Sequence, residues 1–220
     1  MECCWNHRFE DAPPVRGFPS FKGQKNFTGF WWAATSGRHV GYESWLERDH
    51  AMMLDFSPGV VGLSSQPFQM FWRDGTRTRR HVPDYFVRLC DGSGLVVDVR
   101  PDDRIEPADM DAFEATREMC EALGWSYRRV GAINPVLAAN VRWLGGYRHP
   151  RCRRPDAARQ LVAVFDTPTP LDEGVLAAGS RLAVLPTLFH LLWSHDLLAD
   201  VTSGLLSGTT VISAVDRGRR

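Results

Sequence analysis

The chain has 220 residues, 44% of them apolar, and its 26 Lys and Arg balance 26 Asp and Glu to a formal charge of zero. That much apolar material builds one ordinary domain and a smaller one, so a wholly disordered chain is excluded, and a neutral chain gives no argument for nucleic acid from net charge, only from local clusters. Five scattered cysteines (Cys3, Cys4, Cys90, Cys120, Cys152) form neither a Cys-x-x-Cys pair nor an even disulfide set, and no run approaches about 18 apolar residues, so a reduced, cytoplasmic protein without a membrane span is expected.

Residues 1–38 read as an N-terminal arm, rich in Pro and Gly and irregular apart from Gly29-Phe30-Trp31-Trp32-Ala33. Apolar positions at helical spacing predict a helix over 42–56, closed by Asp55-Phe56-Ser57-Pro58-Gly59. Residues 60–63 and 67–72 read as strands, Asp74-Gly75 as a hairpin turn and 79–82 as the returning strand. The run 85–89 leads to a second tight turn at Asp91-Gly92-Ser93-Gly94. Residues 95–99 then have apolar neighbours on both sides of Asp98, the pattern of a central strand in which a carboxylate is costly unless paired or metal-bound.

A helix over 108–123 stops at Gly124, a strand follows over 125–130, and a further helix over 134–144 has Asn134 as N-cap and Pro135 at its first position. This order predicts an α/β core over 39–150, with a mixed central sheet flanked by helices. After a basic joint at 148–154 the composition changes. Helices over 171–178 and 182–193 and a Gly-containing turn before Val211 suggest a small winged-helix-like module over 155–215, with a disordered tail from Asp216.

Glu47 on a helix, Asp84 after Pro83 at a strand start, Asp98 in the central strand and Arg100 two residues on form the chemically informative set. Carboxylate oxygens suit one or two Mg²⁺ (or Mn²⁺) ions, and a cation beside them suits a phosphate in phosphodiester hydrolysis. Glu43 shares the helix face with Glu47 and could reach the same ion. Taken singly, Asp84 could be a turn carboxylate, Asp98 and Arg100 a same-face ion pair, and Gln66 either a supporting amide or an edge-strand polar residue. His50, His81, His149, His190 and His195 show no metal-ligand spacing and receive no catalytic role, and Trp31, Trp32, Trp45, Trp72, Trp125 and Trp143 are expected in the core. Two basic clusters supply candidate DNA contacts: Arg77, Arg79 and Arg80 in the first, which also holds Arg73 and His81, and Arg148, Arg151 and Arg153 in the second.

The order Glu, Pro-Asp, Asp-x-Arg looks like the PD-(D/E)XK core of restriction-endonuclease-like folds. Ser44-Trp45-Leu46-Glu47, Asp55-Phe56, Val60-Val61, Gln66-Pro67-Phe68, Pro83-Asp84-Tyr85-Phe86, Val97-Asp98-Val99-Arg100-Pro101 and Ile133-Asn134-Pro135-Val136 with Trp143-Leu144 together resemble TnsA, the endonuclease subunit of heteromeric transposases. The resemblance covers about residues 38–150. It implies a metal-dependent endonuclease on double-stranded DNA that cuts the 5′ ends of a transposon beside a DDE-type transposase, under an AAA+ regulator ATPase. Glu47, Asp84 and Asp98 then match the metal ligands, and Arg100 stands where the family has lysine. Arginine offers charge and a planar fork but no proton acceptor near neutral pH. Lys22 and Lys25 are the only lysines, so arginine there fits the bias of the whole chain. A non-catalytic assembly subunit bridging transposase, ATPase and DNA, and a stand-alone restriction or repair nuclease, are the competing readings; a homodimer is left open.

Overall fold

In the computed structural model, which describes residues 7–18, 23–24 and 27–215, the first hairpin is fastened by a carboxylate from the following helix. Strand β1 (Gly29–Ala33) pairs antiparallel with β2 (Arg38–Tyr42). Buried Asp55, at the end of helix α1 (Trp45–Phe56), accepts hydrogen bonds from Trp31 Nε1 at 2.9 Å, Ala34 N at 3.0 Å and Thr35 N at 2.8 Å. The helix expected from Tyr42 thus begins at Trp45. Tyr42 is taken by the sheet register opposite Gly29, and Ser44 is the N-cap, accepting from Glu47 N.

Strand β3 (Val60–Ser65) is followed by a separate antiparallel hairpin of β4 (Met70–Asp74) and β5 (Arg77–His81), which turns through Gly75 at φ +58°. Then come β6 (Tyr85–Leu89), β7 (Gly94–Val99), helix α2 (Pro107–Ala122) and β8 (Ser126–Val130). The four-stranded sheet has the order β3-β6-β7-β8, with β6 antiparallel to β3 and β7, and β8 parallel to β7. The parallel step requires a crossover, which α2 provides. Side-chain alternation divides the core. Tyr85, Val87, Leu95, Val97 and Val99 pack with Ala51 of α1, while Phe86 and Val96 pack with Cys120 of α2, so helices cover both faces of a mixed sheet. Asp98 shares the alternation of Val96. Phe9 from the arm closes the second cluster, edge-on to Phe68 and Trp125.

The chain divides by contacts into Met1–Ala132 and Ile133–Arg220. The core boundary expected at 150 therefore moves to the residues before α3 (Pro135–Gly145), whose Asn134 cap accepts from Val136 N and Leu137 N as expected. Buried Asn140 ties α3 into the second unit, donating to Val201 O and Gly204 O and accepting from Leu206 N. Helix α4 (Pro155–Val164), not among the expected elements, starts at Pro155 and buries Ala157, Ala158 and Leu161 along one face. Strand β9 (Thr169–Pro170), helices α5 (Leu171–Ala178) and α6 (Arg181–Trp193), and strands β10 (Leu197–Ala199) and β11 (Val211–Ala214) complete the unit, with an antiparallel sheet in the order β10-β11-β9.

Two tryptophans expected in the core are half exposed. Trp45 is 48% exposed at the start of α1 with the Arg48 guanidinium over its ring, and Trp143 is 56% exposed and packs edge-on to Phe189. Cys90, Cys120 and Cys152 are free thiols, and no described helix is long and apolar enough to cross a membrane. Cys3, Cys4 and the tail 216–220 lie outside the described residues.

Asp55→Ala would leave three donors without an acceptor, and an expected loss of about 2–4 kcal/mol in urea unfolding follows, with unchanged m. A loss below about 1 kcal/mol would show that the β1–β2 turn does not depend on this carboxylate.

Candidate active site

The register Tyr85 with Val97 brings Asp84 and Asp98 face to face one step beyond the end of the β6–β7 ladder. Like charges directly opposite destabilise a sheet, so the arrangement needs compensation. Asp84 Oδ2 accepts from Val99 N at 2.7 Å, and the Asp84 carbonyl accepts from Gln66 N at 2.8 Å. No donor reaches Asp84 Oδ1 among the described residues. Loss of hydration, then the charges of Asp98 and Glu47, push the Asp84 carboxyl well above the usual carboxylate range.

Asp98 is 2% exposed, and its charge is met from two sides. His81 Nε2 lies 3.0 Å from each carboxylate oxygen, and the Tyr127 hydroxyl donates to Oδ2 at 2.9 Å. Burial and the Asp98 charge push the Tyr127 hydroxyl far up, so it stays a donor. His81, assigned no role from its sequence spacing, is thus a direct partner of the central acid. The signal available was that it ends a strand two residues before Pro83-Asp84.

Glu47 sits in the first turn of α1, where Ser-x-x-Glu is also a helix-capping pattern. Its Oε2 accepts from Glu43 N at 2.7 Å and its Oε1 from Ser44 Oγ at 2.9 Å. Burial raises its carboxyl, these two donors lower it, and the Glu43 charge adds to the rise. Glu43 itself is paired with Arg16 at 2.8 Å.

Arg100 does not pair with Asp98. Its guanidinium turns to Asp109 of α2, with Nε at 3.1 Å and Nη2 at 2.9 Å from Oδ2, and the same oxygen accepts from Glu106 N at the helix start. Gln66 is one step removed from the acids. It is a buried corner at φ +48°, a strained value for a residue with a side chain, and its amide answers Arg16 in the orientation that satisfies both groups, donating to Arg16 O at 3.1 Å and accepting from Arg16 Nε at 3.2 Å.

Glu43, Glu47, Asp84, Asp98, Asp109, Arg16, Arg80, His81 and Arg100 line one cavity of about 610 Å³. Glu47, Asp84, Asp98 and Arg100 are therefore brought together. Of the other basic candidates in this unit, Arg77 is exposed, and Arg79 is held by Asp74 at 3.0 Å. In the second unit Arg148 donates to Gly145 O, Arg153 to Asp196 Oδ2 at 3.3 Å, and Arg151 is exposed.

The donor set is all oxygen and carries excess negative charge, which suits a hard divalent cation such as Mg²⁺. Asp84 has a free oxygen for it. Among the described residues no group of three His, Cys, Asp or Glu side chains is arranged to hold a metal ion, so the acids surround a shared cavity without forming a closed ligand cage. No protein-family model matches the chain, and no curated protein matches it.

Asp84 keeps its proton to higher pH in the folded chain than in the unfolded one, so the folded state binds more protons there and stability falls as pH rises above the ordinary carboxylate range. Glu47 contributes with the same sign. In metal-free buffer, Asp84→Asn is expected to be more stable than wild type at alkaline pH and to flatten the pH dependence of the thermal midpoint. Identical pH profiles for the two proteins would contradict the buried-acid description.

Proposed function

We propose that the chain is a Mg²⁺-dependent DNA endonuclease subunit of the TnsA type, cutting one strand at transposon ends beside a DDE-type transposase and an AAA+ ATPase. The observation that carries the reading is the meeting of Glu47, Asp84 and Asp98 on one cavity, with the Asp84 carboxyl raised by loss of hydration and then by its acidic neighbours. Such a site gains stability when a divalent cation neutralises it. The mixed sheet with α1 on one face and α2 on the other agrees with a restriction-endonuclease-like core, and four helices, α3 to α6, with a small antiparallel sheet are compatible with a winged-helix-like module.

In this reading Asp84, Glu47 and Asp98 would hold the ion, which when bound supplies an acidified water and neutralises charge on the phosphate. The chain's own groups do the rest. His81 and Tyr127 hold the Asp98 carboxylate in one orientation. Val99 N fixes one oxygen of Asp84 and leaves the other open to the cavity. Asp109 braces Arg100, which contributes positive charge and no proton acceptor.

The Arg100–Asp109 pair also favours a second reading. A cation drawn away from the acids suits an assembly subunit that bridges transposase, ATPase and DNA without cutting.

Nicking of supercoiled plasmid in Mg²⁺ or Mn²⁺, with the full chain and its partner transposase, separates the two. The nuclease reading expects Asp84→Ala to lower nicking about 100-fold or more. Equal nicking by both proteins would discard the metal-site assignment. Absence of divalent binding in calorimetry, together with normal transposition by Asp84→Ala in cells, would establish the assembly role.

A further inference from the structure

The β4–β5 hairpin has two faces of different character. Cross-strand pairing sets Phe71 opposite Arg80 and Arg73 opposite Thr78, so these four side chains share one face, while Met70, Trp72, Asp74, Arg77, Arg79 and His81 share the other. The second face is largely engaged. Buried Met70 meets Thr116 of α2 at 3.3 Å, Arg79 is paired with Asp74, and His81 holds Asp98. The first face is open: Phe71 is 63% exposed, and Arg73, Thr78 and Arg80 are exposed around it. Neither Arg73 nor Arg80 has an ion-pair partner among the described residues. Arg80 also lines the acidic cavity, where the other arginines, Arg16 and Arg100, are neutralised by Glu43 and Asp109.

A lone exposed apolar ring needs no explanation. A ring between two uncompensated guanidinium groups, one of which, Arg80, also lines the cavity, is a different matter. Its complement is a polymer that offers flat rings to stack and anionic charges to pair, which is the chemistry of an unpaired nucleic-acid strand. We infer that the outer face of the β4–β5 hairpin is a DNA contact surface, on which Phe71 stacks an unpaired base while Arg73 and Arg80 contact flanking phosphates. Arg80 then adds to the cavity a positive charge held by no described carboxylate, beside Arg100, which Asp109 holds. The choice of DNA over another polymer rests on the nuclease reading above.

The test is fluorescence anisotropy of labelled oligonucleotides with the full chain in EDTA, so that no cutting intervenes, comparing a blunt duplex with one carrying a single-stranded overhang. Phe71→Ala is expected to weaken overhang binding about tenfold and to leave blunt-duplex binding within about twofold, with Phe71→Trp restoring it. The double variant Arg73→Ala/Arg80→Ala is expected to weaken both and to reduce the slope of log K against log salt by about two, whereas Arg159→Ala in the second unit binds as wild type. Circular-dichroism melts confirm that the variants fold. Wild-type affinity and salt slope in both hairpin variants would overturn the hairpin assignment alone; a wild-type chain that binds neither oligonucleotide would remove the nuclease reading with it.

Discussion

The site depends on the opposition of two acids at the end of the β6–β7 ladder. The same register that buries Tyr85 against Val97 sets Asp84 opposite Asp98, so the sheet cannot form without bringing the two carboxyls together. A protein selected for stability alone would place apolar or oppositely charged residues there. Much of the surrounding polar structure answers that cost. Val99 N supports Asp84, His81 and Tyr127 support Asp98, and the strained corner at Gln66 brings a backbone N–H to the Asp84 carbonyl.

The compensation is uneven across these acids. Arg16 is given to Glu43 and Arg100 to Asp109, and Asp98 receives an imidazole and a phenol. Asp84 and Glu47 receive only neutral donors: one backbone N–H for the first, a backbone N–H and a hydroxyl for the second. Burial raises both carboxyls, neighbouring acids add to the rise, and these donors offset only part of it. Neither Asp84 nor Glu47 has a cationic side chain as a hydrogen-bond partner among the described residues, and this is where the proposed divalent cation would bind.

Much of this was legible in the sequence because local rules and tertiary structure agreed. The apolar run around Asp98 forms an interior strand, Asp74-Gly75 turns a hairpin, Gly124 follows the end of α2, and Asn134-Pro135 starts α3. Legibility failed where a distant partner decided. Tyr42 sits at helical spacing yet joins β2, since the Gly29 pairing and the Ser44 cap take precedence. Helix α4 is a different case: Pro155 at its start and its helical apolar period were present in the sequence, next to the basic joint that overshadowed them. Spacing-based motifs overlooked His81, because its contact with Asp98 spans two strands of different sheets. Arg100 was expected beside Asp98 at strand spacing, and the acid at the start of α2 draws it away.

The central claim is that Asp84 is a cation ligand whose charge the folded chain leaves unmet. Crystals of the full chain soaked in Mn²⁺, with data collected at the manganese absorption edge, test it most directly. An anomalous peak bonded to the Asp84 carboxylate in the Glu47 cavity is the result this account predicts; no peak there at saturating Mn²⁺, with Asp84 still bonded only to Val99 N, would contradict it.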